Sequence, residues 1–174
     1  MQLNILTYPD PRLKKVSKKI EDFDKHLHKL LDSMNEVMLN NNGIGLAAIQ
    51  VNYPLNALII NLPDENGEQS PDNLIEIINP VFIKQNGETT YQEGCLSVPG
   101  FYEDVQRYDT VTLQYQDRYS NEHTLEADGL LSIAIQHEID HLLGKLFIEK
   151  LPYMKRKKFE KEYKRRLKEK KHNL

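Results

Sequence analysis

The sequence predicts an α+β fold in which mixed or antiparallel sheets pack around a central buried helix. Apolar residues recur at helical spacing between Phe23 and Met38, which predicts a long N-terminal helix. Short segments in the middle of the chain alternate apolar and polar side chains, as half-buried strands do. Residues 128–144 are apolar on most faces, so a helix there should lie in the core. A basic helix at the C-terminus completes the predicted architecture.

The predicted strands follow the N-terminal helix in chain order. Five segments are strand candidates: Ala57–Asn61, Glu76–Ile83, Glu88–Gln92, Thr110–Gln116 and His123–Ala127. Within residues 110–116 the alternation is regular, because every second side chain is a large apolar one. The buried helix should begin after Asp128, a suitable N-cap, and end before Gly144, since a glycine commonly follows a helix.

Length and composition indicate a catalytic domain over residues 1–150 and a basic helical tail over residues 151–174. A chain of 174 residues can bury a sizeable core. Its one cysteine excludes an internal disulfide and suits a reducing cytoplasm. No segment resembles a signal peptide or a membrane span, so we expect a cytoplasmic protein with no membrane partner.

The most informative segment is His137-Glu138-Ile139-Asp140-His141. Two histidines four residues apart lie one turn apart on the same helix face, where both imidazoles reach one metal ion. The carboxylate of Glu138 lies beside them and can take a proton from metal-bound water. This H-E-x-x-H pattern predicts metal-assisted hydrolysis. The alternative is an accidental match of two core histidines, which the glutamate between them at ligand spacing disfavours.

A third protein ligand is expected, since catalytic metal sites usually have three and leave one position for water. A metallopeptidase with a third histidine in an extended motif is disfavoured, because Phe147 occupies that position. A metallopeptidase of another class would use a downstream glutamate, and the candidates are Glu149, Glu160, Glu162 and Glu169. The remaining candidate is Cys95, whose thiolate would bind a borderline metal well. Cys95 could instead be a small buried residue or the nucleophile of a cysteine hydrolase.

Two further segments contain residues suited to binding a substrate. The segment from Gly43 to Gln50 has two glycines that let a substrate approach the backbone, and the Gln50 amide could donate to a developing oxyanion. The segment Glu93-Gly94-Cys95-Leu96-Ser97 predicts a strand end or a tight loop. For the first segment, the alternative is an ordinary turn between a helix and a strand.

Together these motifs resemble the peptide deformylase family. Its three motifs, G-x-G-L-A-A-x-Q, E-G-C-L-S and Q-H-E-x-D-H, occur here in order at residues 43–50, 93–97 and 136–141. The resemblance extends from Tyr8 to Phe147. It implies a metal-dependent hydrolase that removes the formyl group from the N-terminal formyl-methionine of nascent polypeptides. A metal-activated hydroxide would attack the formyl carbon, with a glutamate as general base.

The resemblance also implies a metal site. The metal ligands of the family match Cys95, His137 and His141, and its general base matches Glu138. The family binds one divalent ion, natively Fe²⁺ in most members, with zinc, nickel or cobalt as substitutes. A thiolate ligand donates more charge than a third imidazole would, so the site should tolerate iron.

Substrate-binding positions are implied around the metal as well. The oxyanion donors of the family match the Gln50 side chain and the Leu96 backbone N–H. Positions three, four and seven before His137 share its helix face and should form an apolar slot for methionine. The expected substrate-binding residues are Ile44, Gly45, Tyr91, Glu93, Gly94, Leu130, Ile133 and Ala134. Core packing is the alternative for the apolar members of this set.

One position departs from the family pattern. Many relatives carry an arginine shortly after the cysteine motif, whereas this chain has Tyr102 there, with Arg107 nearby. The anchoring of the substrate backbone in this loop is therefore not implied by the resemblance.

Charge is divided unevenly along the chain. Residues 155–174 hold 11 Lys or Arg and 3 Glu, a net charge of +8, while residues 1–154 carry −11. Phe159, Tyr163 and Leu167 recur at helical spacing, which predicts a basic helix. The contrast predicts a polyanion partner, and the resemblance suggests ribosomal RNA near the exit tunnel rather than DNA. The alternative for this helix is a charged face that only contacts solvent. For the whole protein, an inactive relative that only binds the ribosome is another alternative, and the intact Glu138 and Gln50 disfavour it.

Overall fold

The structure is a computed structural model that describes residues 1–173. Leu174, the last residue of the predicted tail, lies outside the described residues. The α-helices of that range are α1 (Lys25–Asn40), α2 (Gly129–Leu142) and α3 (Tyr153–His172). Its strands are β1 (Gly45–Ala47), β2 (Ala57–Ile60), β3 (Ile75–Asn86), β4 (Thr89–Cys95), β5 (Val98–Arg107), β6 (Thr110–Gln116) and β7 (Glu122–Ala127). Short 3₁₀ helices lie at Pro11–Lys14, Ala48–Val51, Pro71–Asn73 and Phe147–Lys150.

The predicted α+β architecture is confirmed. Five strands form an antiparallel sheet in the order β1-β2-β3-β6-β7, and β4 pairs with β5 in a separate antiparallel hairpin. Side chains alternate between the two faces of the larger sheet. Leu46 and Ile59 pack in the same core as α1, while Leu58 and Ile60 pack in the core that contains the apolar side of α2. The sheet therefore lies between α1 and α2.

Helix α2 is the buried central element that the sequence predicts. Eleven of its 14 residues are buried. Asp128 is the N-cap residue by position, although its side chain makes no capping hydrogen bond. Gly144 follows the helix with φ of +76°, and a Cβ there would collide with the carbonyl group of Lys14. Glycine is therefore required at this C-terminal turn, because the chain turns left-handed and another segment crosses it closely.

Four of the five predicted strands coincide with a strand of the larger sheet, and Glu88–Gln92 covers most of β4. Two strands were not predicted, β1 and β5. Strand β1 has only three residues, and they lie in the segment from Gly43 to Gln50, for which the sequence predicts a substrate-binding backbone but no strand. Strand β5 begins with Val98, Pro99 and Gly100, which are typical of a turn, and its later side chains lack a regular apolar alternation. Proline is tolerated there because β5 pairs with β4 alone and has a free edge.

Helix α3 is anchored to the body at its first half. Phe159 is buried, and its ring lies 5.4 Å from Tyr8 and 4.7 Å from Phe101. Tyr163 is half-buried against the same rings, whereas Leu167 is exposed. Among residues 1–173, no helix combines the length and apolar character that crossing a bilayer requires.

Candidate metal centre and cleft

Three side chains that can bind a metal meet at the base of a cleft. Cys95 ends β4, while His137 and His141 lie on successive turns of α2. The Nε2 atoms of the two histidines are 3.3 Å apart, and Cys95 Sγ lies 3.4 Å from His141 Nε2. All three ligand atoms lie within 4.8 Å of one another. The structure thus brings the predicted third candidate, Cys95, to the two histidines.

The competing candidates lie elsewhere. Phe147 is buried, with its ring stacked 6.0 Å from that of His137. Glu149 accepts a hydrogen bond from the backbone N–H of Leu146. Glu160, Glu162 and Glu169 belong to α3, where each pairs with basic residues of the same helix. These contacts leave the glutamates outside the group of ligand atoms.

The surroundings of the two histidines favour a bound cation. Burial opposes the charged form of His137, but the negative charges of Glu138, Cys95 and Glu93 outweigh it and raise its pKa well above the usual range. Burial lowers the pKa of His141 well below that range, which keeps its ring neutral. A metal ligand must be a neutral imidazole, and an environment that attracts a proton at one ring also attracts a metal ion. The donor set of one sulfur and two nitrogens therefore fits a transition metal.

A buried ion-pair network holds His137 through Nδ1, the ring nitrogen that does not face the other ligand atoms. The Nδ1 atom of His137 donates to Glu93 Oε1 at 2.8 Å. Arg107 donates two hydrogen bonds to Glu93, each 2.8 Å, and one to Asp140 at 2.6 Å. Lys150 lies 3.8 Å from the other oxygen of Asp140. A carboxylate on the far nitrogen of a ligating histidine fixes its tautomer and orientation.

The network changes the interpretation of two residues. Glu93 borders the cleft as predicted, but its carboxylate is occupied by Arg107 and His137. Burial opposes its ionisation, yet the two hydrogen bonds from Arg107 and the one from His137 lower the pKa of Glu93 below its usual range. Arg107, noted in the sequence as a cation near Tyr102, is buried in ion pairs and does not line the cleft. One sign of the network is visible in the sequence: Asp140 lies in the helix expected to be buried, where a carboxylate needs a partner.

Glu138 lies beside the three ligand atoms. Its Oε1 atom is buried without a hydrogen-bond partner among the described residues, 3.9 Å from His141 Nε2. Burial, with the charges of Glu93 and Asp140, raises the pKa of Glu138 to about 7. A Cβ atom on Gly45 would lie 2.5 Å from Glu138 Oε2. Only glycine leaves room for this carboxylate, which has the pKa expected of a general base near neutral pH.

Gln50 is held with its amide nitrogen toward the metal ligands. Its Oε1 atom accepts from the Ala47 backbone N–H at 2.9 Å. Its Nε2 atom donates to Ser97 Oγ at 3.0 Å and lies 3.5 Å from Cys95 Sγ. Leu96 follows Cys95 directly, in the turn between β4 and β5. The amide orientation is therefore set by protein contacts before any substrate arrives.

The N-terminal segment ties these parts together. The backbone N–H of Leu6 donates to the carbonyl of Gln50 at 2.7 Å, and that of Tyr8 donates to the carbonyl of Ser97 at 2.7 Å. The segment thus joins the two residues whose side chains bond to each other. No sequence motif signals this role, because the contacts use backbone atoms only.

The cleft measures about 900 Å³ and contains the predicted substrate-binding residues. Its lining includes Ile44, Gly45, Tyr91, Glu93, Gly94, Leu130, Ile133 and Ala134, together with Gln50, Cys95, Leu96, His137 and Glu138. His141 lies fully buried beneath them. Other lining residues were not predicted: Leu3, Asn4, Ile5, Thr7, Val37, Asn41, Asn42, Gly43, Gln92, Pro99, Gly100 and Tyr102. Most of these belong to segments without a recognisable motif.

The chain is similar to known proteins over nearly its whole length. A family model described as polypeptide deformylase matches residues 2–157, which include every cleft residue named above. A peptide deformylase of Nautilia profundicola is 57% identical over 168 residues, covering 97% of each chain. One of Wolinella succinogenes is 58% identical over 164 residues, covering 94% of this chain and 96% of that one. The crystal structure of a peptide deformylase from Legionella pneumophila matches with a TM-score of 0.86 at 38% identity, covering 97% of this chain and 98% of that one.

Proposed function

This chain belongs to the polypeptide deformylase family and is a hydrolase that removes formyl groups from nascent peptides, and we propose which of its residues do so. Cys95, His137 and His141 hold the metal, and Glu138 is the general base. One observation carries this assignment: a thiol and two imidazole nitrogens lie within 4.8 Å of one another at the base of the cleft. Three protein ligands leave a position open for water, as catalytic metal sites require.

The identity of the metal ion is part of the proposal. A divalent ion held by these three residues would supply Lewis-acid activation of a water molecule and of the formyl carbonyl. We propose Fe²⁺ as the native ion, with zinc, nickel or cobalt as substitutes, because one thiolate and two imidazoles suit all four. Metal analysis of protein purified without oxygen tests this choice. A dominant metal other than iron in such a preparation contradicts it.

Glu138 moves the proton in both halves of the reaction. Its carboxylate takes a proton from the attacking water, which adds to the formyl carbon. It then gives that proton to the methionine nitrogen as the C–N bond breaks, releasing formate and a free amine. One carboxylate can serve as base and then as acid when its pKa lies near neutral pH, and burial raises that of Glu138 to about 7.

The negative charge that develops on the formyl oxygen is met by two donors. The Gln50 amide nitrogen is aimed at this position by its contacts to Ala47 and Ser97. The backbone N–H of Leu96 is the second donor. Loss of one such donor typically raises the barrier by about 3 kcal/mol.

The methionine end of the substrate is bound by apolar side chains. Leu130, Ile133 and Ala134 lie on the cleft side of α2, one to two turns before His137. Ile44 and Tyr91 border the same cleft. The Gly45 backbone, next to Glu138, hydrogen-bonds the peptide. An apolar pocket discriminates one methylene group by about 1–3 kcal/mol, which is enough to favour methionine over smaller residues.

Formate release tests the proposal directly. Metal-loaded protein should release formate from formyl-Met-Ala-Ser and leave acetyl-Met-Ala-Ser intact. A chelator should abolish the activity, and added Fe²⁺ should restore it. Failure of the fully metal-loaded protein to release formate would contradict the proposal.

The cellular location of the enzyme and its docking partner form a further part of the proposal. We propose a cytoplasmic location and docking on ribosomal RNA through α3, where nascent chains emerge. Lys161, Lys164 and Lys168 support this, since they share one exposed face of α3 and make no ion pair among residues 1–173. The division into a catalytic domain (1–150) and a tail (151–174) stays a proposal. Phe159 packs in the body, so the tail is also part of its core.

A further inference from the structure

The polar loop between β2 and β3 contacts the cleft wall through one side chain. Gln69 is half-buried, and its Nε2 atom donates to the Gly43 carbonyl at 2.8 Å and to the Asn61 carbonyl at 2.7 Å. Gly43 lines the cleft, whereas Gln69 does not. A single amide outside the cleft thus joins the residue after β2 to the backbone of the cleft wall.

Gln69 extends the hydrogen bonds between β1 and β2 beyond the ends of both strands. After the last paired residues, the backbone N–H of Asn61 donates to the Ile44 carbonyl at 2.8 Å. One residue further along, the chain that follows β2 has entered the loop. There the Gly43 carbonyl accepts from the Gln69 amide instead of from a strand backbone. The side chain therefore supports a carbonyl that the sheet itself leaves without a partner.

The loop is fixed on both sides of Gln69. The buried Asn61 side chain donates through Nδ2 to the Ser70 carbonyl at 3.0 Å. On the other side, Asp64 Oδ1 accepts from the Glu68 backbone N–H at 3.0 Å. The amide is therefore in place before a substrate arrives, and a group organised in advance loses less entropy on binding.

The wall that Gln69 holds lies close to the reacting groups. A Cβ atom on Gly43 would lie 2.7 Å from Cδ1 of Leu96, and one on Gly45 would lie 2.5 Å from Oε2 of Glu138. Strand β1 ends the sheet and pairs with β2 on one side only. A strand at the edge of a sheet has backbone groups that an extended peptide can bond to. The placement of this backbone thus decides how well it meets a peptide.

Resting on the proposed function, we propose that Gln69 is a positioning residue for substrate binding. Its amide bonds to Gly43 and Asn61 and to no metal ligand or catalytic group. By holding the Gly43 carbonyl it sets the position of the Gly45 backbone, which hydrogen-bonds the peptide. That bond is the same in the ground state and the transition state, because the reaction takes place at the formyl group. Loss of the Gln69 amide therefore raises KM and leaves kcat nearly unchanged.

Kinetics of formate release from formyl-Met-Ala-Ser, with fully metal-loaded protein, test this role. Gln69→Ala should raise KM about fivefold, as expected for the loss of one hydrogen bond, while kcat changes less than about twofold. Gln69→Glu has nearly the same shape but turns an oxygen toward two carbonyl groups, so it should raise KM at least as much. A wild-type KM in Gln69→Glu overturns the proposal, since the donated hydrogen bonds would then be unnecessary.

Two control variants separate positioning from general stability. Glu68→Ala changes the neighbouring side chain, which is exposed and has no polar partner among residues 1–173, and should leave both constants unchanged. Asn79→Ala removes an amide that likewise bridges two segments, through Ile20 and Gln116, outside the cleft. It should lower Tm and leave KM unchanged.

Two results would overturn the positioning role. One is an equal rise of KM in Asn79→Ala, and the other is a fall of kcat at unchanged KM in Gln69→Ala. Absence of formate release by the metal-loaded wild type would contradict the proposed function instead.

Discussion

Helices α2 and α3 differ in almost every respect. Eleven of the 14 residues of α2 are buried, whereas Phe159 alone is buried among the 20 of α3. The charged groups of α2 contact one another and the hairpin at short distances, while those of α3 face solvent. Burial gives a charge a strong effect on its neighbours, and solvent screens an exposed one. We therefore expect changes on α2 to alter chemistry and changes on α3 to alter docking.

The largest effect is expected from the ligand that joins the hairpin to α2. Cys95→Ala should remove most of the bound metal and all measurable turnover, because two histidines alone are too few ligands. In the wild type, iodoacetamide should modify the thiol slowly with metal bound and rapidly after chelation. The signal is unambiguous, since the chain has one cysteine. Equal rates in both states would mean that the thiol does not bind the metal.

Glu138→Ala should separate metal binding from turnover. Loss of the general base should lower kcat by about 10²–10⁴-fold, while metal content stays near that of the wild type. Glu122→Ala changes an exposed glutamate of β7 and serves as the control, with normal activity expected. Near-normal turnover of metal-loaded Glu138→Ala would remove this residue from the mechanism.

Arg107→Ala tests the network behind His137. Removing the cation leaves Glu93 bonded to His137 and Asp140 near Lys150, but both buried carboxylates lose the guanidinium. This loss should lower the free energy of unfolding by about 3–5 kcal/mol. Metal affinity should fall about 10–100-fold, as is typical when a ligating histidine loses its support. Chemical denaturation and a competitive chelator measure the two effects.

Arg118→Ala is a matched control for that variant. Arg118 also donates two hydrogen bonds to a glutamate, Glu76, but it pairs with no residue of the network behind His137 and is more exposed. It should cost some stability and leave metal affinity unchanged. If both variants lower metal affinity equally, the effect of Arg107 is one of general stability.

Ala134→Phe should narrow the methionine slot. We expect kcat/KM for formyl-Met peptides to fall about tenfold more than for formyl-Ala peptides, because the added ring occupies space that the longer side chain needs. Ala134 is buried, so the variant also overpacks the core and should unfold about 1–3 kcal/mol more easily. A uniform loss across both substrates would place Ala134 outside the slot.

The smallest effect on catalysis is expected from α3. Replacing Lys161, Lys164 and Lys168 with Gln should leave formyl-Met peptide activity unchanged and weaken ribosome binding. These residues are a better choice than Arg165 and Arg166, which pair with glutamates of the same helix. The log–log slope of binding against salt should weaken by about 0.7–0.9 for each phosphate that the helix no longer neutralises.

A body variant with the same loss of charge controls for non-specific attraction. Lys15, Lys19 and Lys84 are exposed and distant from α3 in the sequence. Their triple replacement with Gln should leave cosedimentation with ribosomes unchanged. If the α3 variant binds like the wild type at low and moderate salt, this face of the helix is only solvated.

The sequence predicted α2 well because its signals are local. The apolar run, Asp128 and Gly144 set its bounds, and helical geometry alone puts His137 and His141 side by side. Cys95 is the leading candidate for the third metal ligand for two reasons. Phe147 cannot bind a metal and most of the downstream glutamates lie in a charged, solvated segment, while the family's cysteine motif matches at Cys95. The methionine slot followed from the same helical repeat.

What the sequence did not predict depends on contacts between distant segments. Arg107, Glu93 and Asp140 form one network, yet Arg107 lies 14 residues from Glu93 and 33 from Asp140 in the chain. Strand β5 was not predicted because Pro99 and Gly100 favour a turn. In the structure, pairing with β4 outweighs that local preference. The N-terminal segment that borders the cleft is held by backbone hydrogen bonds of Leu6 and Tyr8. Such bonds do not depend on which side chains are present, so the sequence does not reveal them.

The contacts of the N-terminal segment can form only in a certain order while this protein is being synthesised. Leu6 and Tyr8 leave the ribosome first, but their backbone partners Gln50 and Ser97 follow much later, and Phe159, which packs on Tyr8, comes last. At about 5–20 residues per second, the first residues wait roughly 8–30 s for that ring. The last residue that lines the cleft is Glu138, so the cleft can be completed only once α2 has been made. An enzyme that acts on unfinished chains is itself unable to act until most of its own chain exists.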